Sequence, residues 1–326
     1  MNQPPLSVVI PVHDAAPYLP ALFEALDAQT LAGIAYIFVN DGSHDDSARL
    51  LDDYAASRPG VLVLHQQPAR GVSAARNLGL AHIRGDYVGF CDADDQPAPD
   101  HYAQLYELAC HHRLDIAFGN GCYFNQAPGD DHRLIVQQPK PTAVLDGAGW
   151  LDACLVGREW IYAVYLSLLR CDWLREHGLR FPEGMVHEDV VWTNELLLRA
   201  GRVAYQAAPT YHYRRTPGSI MRNRSRDGLW RRIDGHTKAA AHLQRISDSA
   251  AAALRPALRA QALIELNKLL GLLGDLDDWQ LKTACARRLR RSGLFGWGWH
   301  HGGGRLRWRL VRASLLAALA TGSADG

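Results

Sequence analysis

At residues 87–95 the chain reads YVGFCDADD, an apolar run followed by a cluster of three carboxylates. Such a run predicts a buried strand, and ligands of open parallel sheets bind beyond the carboxyl ends of the strands. Like charges in a partly desolvated crevice are costly unless a cation neutralises them. We therefore expect Asp92, Asp94 and Asp95 to face a site for a divalent metal and a phosphate-bearing substrate. The alternative is an acidic turn that caps the helix near Pro99.

The first 120 residues around this run alternate short apolar segments with amphipathic ones, which is typical of βαβ units. The predicted strands are 7–12, 35–39, 61–65 and 87–91, and the predicted helices between them are 19–26, 46–56 and 72–83. We predict an α/β fold with a mostly parallel central sheet and helices on both of its faces, because the strands are apolar without alternation.

The rest of the chain differs in pattern. Residues 120–141 are rich in Gly, Pro, Asp and Gln and predict a long loop. From about residue 226 onward the pattern indicates helices only, at 236–246, 250–273, 277–289 and 306–319. We expect a first domain at 1–225 and a helical C-terminal region at 226–326.

Polar residues also follow two other predicted strands. The first strand ends in Pro11-Val12-His13-Asp14 and the second in Asn40-Asp41-Gly42-Ser43. Because the carboxyl ends of parallel strands meet at one edge of a sheet, both groups are expected at the same crevice as the acidic cluster. Asp41 could accept a hydrogen bond from a nucleobase or a ribose hydroxyl. An Asn-Asp-Gly-Ser turn with no ligand is the alternative.

The helix before the acidic cluster opens with Arg70-Gly71-Val72-Ser73-Ala74-Ala75-Arg76-Asn77. Its small residues allow close packing on the sheet, and Arg76 could reach a phosphate or anchor the acidic cluster. An ordinary structural arginine is the alternative. The G-x-G-x-x-G fingerprint is absent after every predicted strand, which argues against a nicotinamide-dependent enzyme.

The motifs at 7–14, 40–43, 71–77 and 92–95 together closely resemble, in order and spacing, those of the family 2 inverting glycosyltransferases with the GT-A fold. The resemblance covers roughly residues 5 to 220. It implies that Asp41 contacts the nucleobase, Asp92 the ribose, and Asp94 a Mn²⁺ or Mg²⁺ ion that bridges the donor diphosphate. Many relatives have Asp where this chain has Asn40, which leaves Asp41 for base recognition. The donor-site residues expected on this basis are Pro11, His13, Asp14, Asp41, Arg70, Arg76, Asp92 and Arg214.

Two later motifs have counterparts in the same family. His187-Glu188-Asp189 precedes an apolar run, and similar proteins place their catalytic base on the Asp of such a Glu-Asp pair. Without the resemblance, Glu188 and Asp189 are the acidic first turn of a helix. The segment 211–220 looks like the mobile loop that closes over the diphosphate, with His212 as an extra metal ligand and Arg214 as a phosphate clamp. A surface loop with solvated arginines is the alternative.

Composition limits the class of protein. The 326 residues include 48% hydrophobic and 21% charged residues, which excludes a disordered or disulfide-built chain. The net charge is only +1, so general nucleic-acid binding is not expected. The six cysteines form no CxxC pair, and no export signal or membrane-spanning run is evident. We expect a cytoplasmic protein, peripheral on the cytoplasmic face of the inner membrane.

The membrane expectation comes from the C-terminal region. Between Gln280 and Ala324 there are eight arginines and Lys282 but no acidic residue, and Trp297, Trp299 and Trp308 are interleaved with them. Cations for the headgroups and indoles for the boundary are what an interfacial helix on an anionic leaflet requires. The alternative is a helical bundle with a solvated basic face.

The sequence thus predicts a metal-dependent inverting glycosyltransferase. It would move a sugar from a UDP- or dTDP-linked donor to a hydroxyl of a glycan or lipid-linked glycan, in bacterial polysaccharide or lipopolysaccharide synthesis. One alternative is a sugar-1-phosphate nucleotidyltransferase, which would need a Gly-rich basic loop where this chain has Val12-His13-Asp14-Ala15-Ala16. The other is an inactive sugar-binding relative, which would lack Asp94 or Asp189, and both are present.

Overall fold

The computed structural model describes residues 4–216 and 225–319. The chain divides into two compact units. The first consists of Met1–Gly184 and Glu195–Thr216, and the second of Met185–Asn194 and Pro217–Gly326. The short segment 185–194, which the sequence groups with the first domain, therefore belongs to the second unit.

The first unit is built on an eight-stranded sheet with the order β3-β2-β1-β4-β7-β6-β8-β5. The strands are β1 (Leu6–Val12), β2 (Ala35–Asp41), β3 (Val61–Gln66), β4 (Tyr87–Phe90), β5 (Gln96–Pro97), β6 (Ile116–Phe124), β7 (Ser167–Arg170) and β8 (Val203–Arg214). Strands β1 to β4 pair in parallel, as do β6 and β8, whereas β7 is antiparallel to both of its neighbours and β5 is antiparallel to β8. The predicted α/β class with a mostly parallel sheet is confirmed.

Helices connect the strands of this unit. They are α1 (Leu19–Asp27), α2 (Ser47–Ala56), α3 (Val72–Leu80), α4 (His101–His112), α5 (Gly147–Gly157) and α6 (Cys171–Glu176), with a 3₁₀ turn at Val164–Leu166. Helix α7 (Glu188–Leu197) begins in the second unit and ends in the first.

The centre of the sheet is buried on both faces. In β1, Leu6, Val8, Val9 and Ile10 are fully buried, which explains why the strand is apolar without alternation. A Cβ at Gly79 would collide with the side chain of Val9, so α3 packs unusually close to β1. The start of α3 lies at the end of β2, because the N–H of Gly71 donates to Asp41.

The prediction of a long loop at residues 120–141 was partly wrong. Residues 120–124, expected as the start of a long loop, continue β6 and pair with β8. Asn and Gly have low strand propensity, and here pairing with β8 outweighs it. The buried side chain of Asn120 forms two hydrogen bonds with the backbone of the loop. Its amide donates to the carbonyl of Val136 at 3.1 Å, and its oxygen accepts from the N–H of Val136 at 2.9 Å. The following loop is therefore tied to the sheet.

The second unit contains five helices in the described part of residues 225–319, apart from the start of α7. They are α8 (Arg226–Ser249), α9 (Arg255–Gly274), α10 (Trp279–Arg291), α11 (Leu294–His301) and α12 (Gly304–Leu319). Their apolar faces form one core around Leu266, Leu269, Leu289 and Leu310. No helix among the described residues is both long and apolar enough to cross a bilayer.

Two details of this unit differ from expectation. Helix α11 was not predicted, because its GWGWHH sequence has weak helix propensity and forms a helix only by packing on its neighbours. Trp297, expected among the surface tryptophans, is only 9% exposed. In contrast, Trp299 and Trp308 are 46% and 64% exposed.

Candidate active site

The register of the parallel strands brings their polar ends together. Val12 lies beside Asn40, and Asp41 lies beside Gln66 on the next strand. Since β4 is paired with β1 on its other side, the acidic run that follows Phe90 leaves the sheet at the same edge. The predicted crevice at the carboxyl ends of β1, β2 and β4 is thus assembled within the first unit.

Asp41 holds the loop that leads into α3. One of its carboxylate oxygens accepts from the side-chain amide of Gln66 at 2.6 Å and from the N–H of Arg70 at 2.7 Å. The other accepts from the N–H of Gly71 at 2.7 Å, where the backbone is left-handed with φ +92°. Asp41 is 5% exposed. Each carboxylate oxygen has two lone pairs, so one acceptor position remains for the nucleobase contact that the sequence predicts.

The end of β1 is tied to Asp41 and to the following turn. The Nδ1 of His13 lies 2.7 Å from the carbonyl oxygen of Asp41, to which it donates. Asp14 accepts from the N–H of His44 at 2.6 Å, and this bond lowers the pKa of the Asp14 carboxyl. Pro11 is half-buried in β1, whereas the side chains of His13 and Asp14 remain about half exposed at 49% and 44%. They are therefore accessible to a ligand.

Of the two arginines predicted here, Arg76 anchors the acidic cluster. Its buried guanidinium pairs with Asp92 at 3.0 Å and lies over the ring of Phe181 at 5.4 Å. Asp92 itself is 29% exposed. Arg70 is exposed and pairs with Glu183 at 3.2 Å. Arg76 thus orients Asp92, which faces the crevice, while Arg70 lies at its rim.

Asp95 corrects the expectation that three carboxylates face the site. It is 1% exposed, and its oxygens accept from the hydroxyl of Tyr211 and from the N–H of Arg214, both at 2.8 Å. Burial, followed by the charges of Asp92 and Asp94, raises the pKa of Asp95 well above its usual range. Asp95 is a structural tie between the acidic run and β8. A single sequence could not show this, because Tyr211 is more than 100 residues away.

Asp94 is partly buried in the same cluster. Its Oδ2 accepts from the hydroxyl of Thr216 at 2.8 Å, and its carbonyl oxygen accepts from Nε of Arg214 at 2.8 Å. Burial and the neighbouring charge of Asp92 raise the pKa of Asp94. The guanidinium of Arg214 also lies over the ring of Phe124 at 4.4 Å. Arg214 is thus held beside the acidic run, while the rest of the predicted loop, 217–220, lies outside the described residues.

This donor set suits a divalent cation shared with phosphate. Within residues 4–216 and 225–319, no three His, Cys, Asp or Glu side chains are close enough to hold a metal by themselves. His212, on β8, is half-buried and belongs to no such group. Asp94, whose pKa is raised by burial and by the charge of Asp92, fits Mg²⁺ or Mn²⁺, which take one or two carboxylates and complete their shell with phosphate oxygens.

The predicted catalytic pair lies in the second unit. Glu188 and Asp189 form the first turn of α7, where the helix dipole favours negative charge. The preceding His187 has a left-handed backbone, with φ +65°, and its ring stacks on that of His236 at 3.8 Å between centroids. A Cβ at Gly235 would collide with the carbonyl of Val186, so α8 packs directly against this turn.

A buried chain of polar groups supports the turn. Nδ1 of His236 lies 2.6 Å from one oxygen of Glu265, and Lys268 donates to the other at 2.8 Å. Burial alone would raise the pKa of Glu265, but the hydrogen bonds from His236 and Lys268 hold it below its usual value. Sequence reasoning missed His236 and Glu265, because they are 29 residues apart on different helices. The only sequence signal was that each is a polar residue inside an amphipathic helix.

The pKa of His187 predicts how stability depends on pH. Burial first, and then the adjacent His236, lower this pKa from 6.5 to about 3. Between these values the unfolded chain binds a proton that the folded chain does not, so the free energy of unfolding falls as the pH drops below 6.5. We expect His187→Asn, which tolerates the left-handed backbone, to lose less stability than the wild type between about pH 7 and about pH 5.

Urea unfolding followed by circular dichroism at the two pH values measures this difference. His300→Asn, at an exposed position of α11, is the matched control and should keep the wild-type pH dependence. An unchanged pH dependence in His187→Asn would contradict the assignment.

Residues 7–163 match the family model described as glycosyl transferase family 2. The chain is 35% identical over 209 residues to the uncharacterized glycosyltransferase YibD of Escherichia coli K12, covering 64% of this chain and 60% of that protein. It is 30% identical over 220 residues to the uncharacterized glycosyltransferase EpsJ of Bacillus subtilis, covering 67% of this chain and 63% of EpsJ. The chain thus spans less than two thirds of the length of these two relatives.

Solved structures share the fold at low identity. A Staphylococcus aureus TarS structure, residues 1–349 in complex with UDP-GlcNAc, superposes with a TM-score of 0.72 at 16% identity, covering 96% of this chain and 88% of that one. The mannosyltransferase PcManGT of Pyrobaculum calidifontis, in complex with GDP-Man and Mn²⁺, gives 0.57 at 16% identity, covering 98% and 87%. Residues 7–163 thus form a glycosyl transferase family 2 domain, and the sheet with its strand-end motifs has the GT-A fold that these solved structures share.

Proposed function

We propose that this chain transfers a sugar from a nucleotide diphosphate to a hydroxyl acceptor, with inversion at the anomeric carbon. The observation that carries the proposal is the pair of partly exposed carboxylates after β4, Asp92 and Asp94, next to the loop that Asp41 holds. This crevice offers acceptors for the ribose and the base, and the nearby Arg214 offers positive charge for the diphosphate. The UDP-GlcNAc complex of TarS supports a uridine diphosphate donor, with thymidine diphosphate as the alternative.

Asp94 would hold the Mn²⁺ or Mg²⁺ ion, with Asp92 beside it as the proposed contact to the ribose. When bound there, the cation neutralises the charge that develops on the departing diphosphate. The protein groups prepare that position: Arg76 orients Asp92, and the side chains of Thr216 and Arg214 hold Asp94 in place. His212 as an additional ligand remains part of the proposal.

Asp189 is proposed as the base, with Glu188 beside it. The acceptor oxygen forms a bond to the anomeric carbon as the bond from that carbon to the diphosphate oxygen breaks, and the electron pair leaves with the diphosphate. The hydroxyl proton passes to the carboxylate of Asp189. One oxygen of Asp189 accepts from the N–H of Val190 at 2.9 Å, which fixes its orientation in the first turn of α7.

For the acceptor, we propose a glycan or lipid-linked glycan of bacterial polysaccharide or lipopolysaccharide synthesis. The exposed face of α12 supports work at a membrane surface. Arg305, Trp308, Arg309, Arg312 and Leu315 recur at helical spacing and are all exposed, whereas Leu306, Leu310 and Ala313 between them are buried. Cations beside an indole and an aliphatic side chain suit the boundary of an anionic leaflet.

The first test concerns the metal. A thermal-shift panel of UDP, dTDP and GDP with and without Mn²⁺ should show one nucleotide that raises the Tm mainly when metal is present. Asp94→Asn should lose the metal-dependent part of this shift, because the ion loses a charged ligand. Asp172→Asn, which neutralises a 91% exposed carboxylate of the same unit, is the control and should behave as the wild type. A full metal-dependent shift in Asp94→Asn would refute the metal site.

The second test concerns the base. The thermal-shift panel selects the nucleotide sugar for this test. Transfer of its sugar to water or to an acceptor releases the nucleoside diphosphate, and the rate of that release measures turnover. Asp189→Asn should lower this rate by about 10²- to 10⁴-fold, because a positioned base contributes that much. It should retain the metal-dependent thermal shift, since donor binding does not use Asp189. Asp248→Asn, at an exposed position of α8, should change neither. Near-wild-type turnover in Asp189→Asn would exclude it as the base.

The third test concerns the membrane. Sedimentation with phosphatidylglycerol vesicles should decrease as salt shortens the Debye length from about 10 Å at 0.1 M to about 3 Å at 1 M. Trp308→Ala should weaken sedimentation further, because it removes the indole on the exposed face of α12. Trp279→Ala, at another exposed tryptophan of 52% accessibility, is the control. Equal sedimentation of the two variants, or no sedimentation of the wild type at low salt, would refute the membrane proposal.

A further inference from the structure

The second unit contains a cleft that the proposed reaction does not use. It lies between α8 and α10 and has a volume of about 650 Å³. Trp230 and Lys238 line it from α8, and Arg287, Arg288 and Arg291 line it from α10. The volume falls within the usual range for small-molecule sites, about 300 to 1,000 Å³. We call these five residues the cationic cleft.

The α10 side of the cleft carries uncompensated charge. Arg287 and Arg291 are one helical turn apart, and like charges at this spacing destabilise a helix. Both are exposed, and neither has an ion pair with any carboxylate in the described chain. The sequence contains no acidic residue from 279 to 324 that could compensate them locally. Two guanidinium groups therefore remain available to an anion.

Two other cations of the cationic cleft, Lys238 on α8 and Arg288 on α10, are already held in place. Asp234 pairs with Lys238 at 2.9 Å and makes a close ion pair with Arg288. The guanidinium of Arg288 also lies over the Trp230 ring at 5.6 Å. Asp234 thus orients Lys238 and Arg288, and it pairs with neither Arg287 nor Arg291. Because the side chains of Lys238 and Arg288 are ordered before a ligand binds, the entropy cost of binding is lower.

We propose that the cationic cleft binds a ligand that carries phosphate groups. Guanidinium groups bind phosphate through paired, charge-assisted hydrogen bonds, and three arginines with one lysine could contact more than one phosphate. The Trp230 indole, with Ala241 and Ala284, adds apolar surface for the rest of the ligand. The cleft is lined by α8, α10 and Ser292, which follows α10, and by no residue of the proposed donor site, so it is a second anion site.

Titration of the full chain with inorganic pyrophosphate in EDTA tests the proposal, because EDTA removes metal-dependent binding at the donor site. Isothermal calorimetry should show saturable binding that weakens as salt rises. In Arg287→Gln/Arg291→Gln the Kd should rise at least about tenfold, since two charge-assisted contacts are lost.

The control removes two charges elsewhere. Arg245→Gln/Arg290→Gln changes two exposed arginines of the same helices that do not line the cleft, and its Kd should stay within about twofold of the wild type. Equal weakening in both double variants would show general charge attraction and overturn the site. Absence of saturable pyrophosphate binding, or wild-type affinity in Arg287→Gln/Arg291→Gln, would also overturn it.

A second arm identifies the source of the phosphate. Phosphatidylcholine vesicles with and without phosphatidic acid present a lipid phosphomonoester to the same variants. If phosphatidic acid increases sedimentation and only Arg287→Gln/Arg291→Gln loses the increase, the cleft takes a lipid headgroup. If sedimentation does not depend on these arginines while pyrophosphate binding does, the cleft takes a soluble phosphate ligand.

Discussion

The first unit depends on how it accommodates three carboxylates within four residues after β4. Each of them is stabilised differently: Asp92 by the buried guanidinium of Arg76, and Asp95 by Tyr211 and the backbone of β8. Burial and neighbouring charge raise the pKa of both Asp94 and Asp95, but Asp95 is fully buried whereas Asp94 is partly exposed. Asp92 and Asp95 tie α3 and β8 to the end of β4, and the partly exposed Asp94 is left as the position where a cation is most favourable.

The same principle applies at the end of β2. The carboxylate of Asp41 would be costly to bury alone, and the loop before α3 provides the N–H groups that satisfy it. The bonds that stabilise the charge therefore also shape the crevice. A residue of this kind has a structural role and a binding role at once, so its replacement affects both.

In the second unit, buried polar groups perform the corresponding task. Glu265 orients His236, whose ring supports His187 and so the turn that begins α7. This arrangement gives Glu188 and Asp189 a defined backbone. The exposed side of the same helical unit is strongly basic: the face of α12 suits a membrane boundary, whereas the cationic cleft is concave and partly ordered by Asp234. The two surfaces therefore suit different ligands: the face of α12 suits an extended membrane surface, and the cationic cleft suits a phosphate-bearing group that fits into it.

Much of the first unit could be predicted from the sequence. Apolar runs without alternation mark β1 to β4, and the polar residues at their ends mark the crevice, because strand burial and parallel pairing leave local signals. Contacts between residues that are far apart in the chain leave no such local signal. The extension of β6, the burial of Asp95 against Tyr211 and the support of His187 by His236 depend on residues far apart in the chain. The sequence alone determined which chemical groups the crevice contains, since the spacing of the motifs is local. Only the tertiary structure decided which of these groups face a ligand and which are buried as supports, because burial and pairing depend on contacts between distant segments.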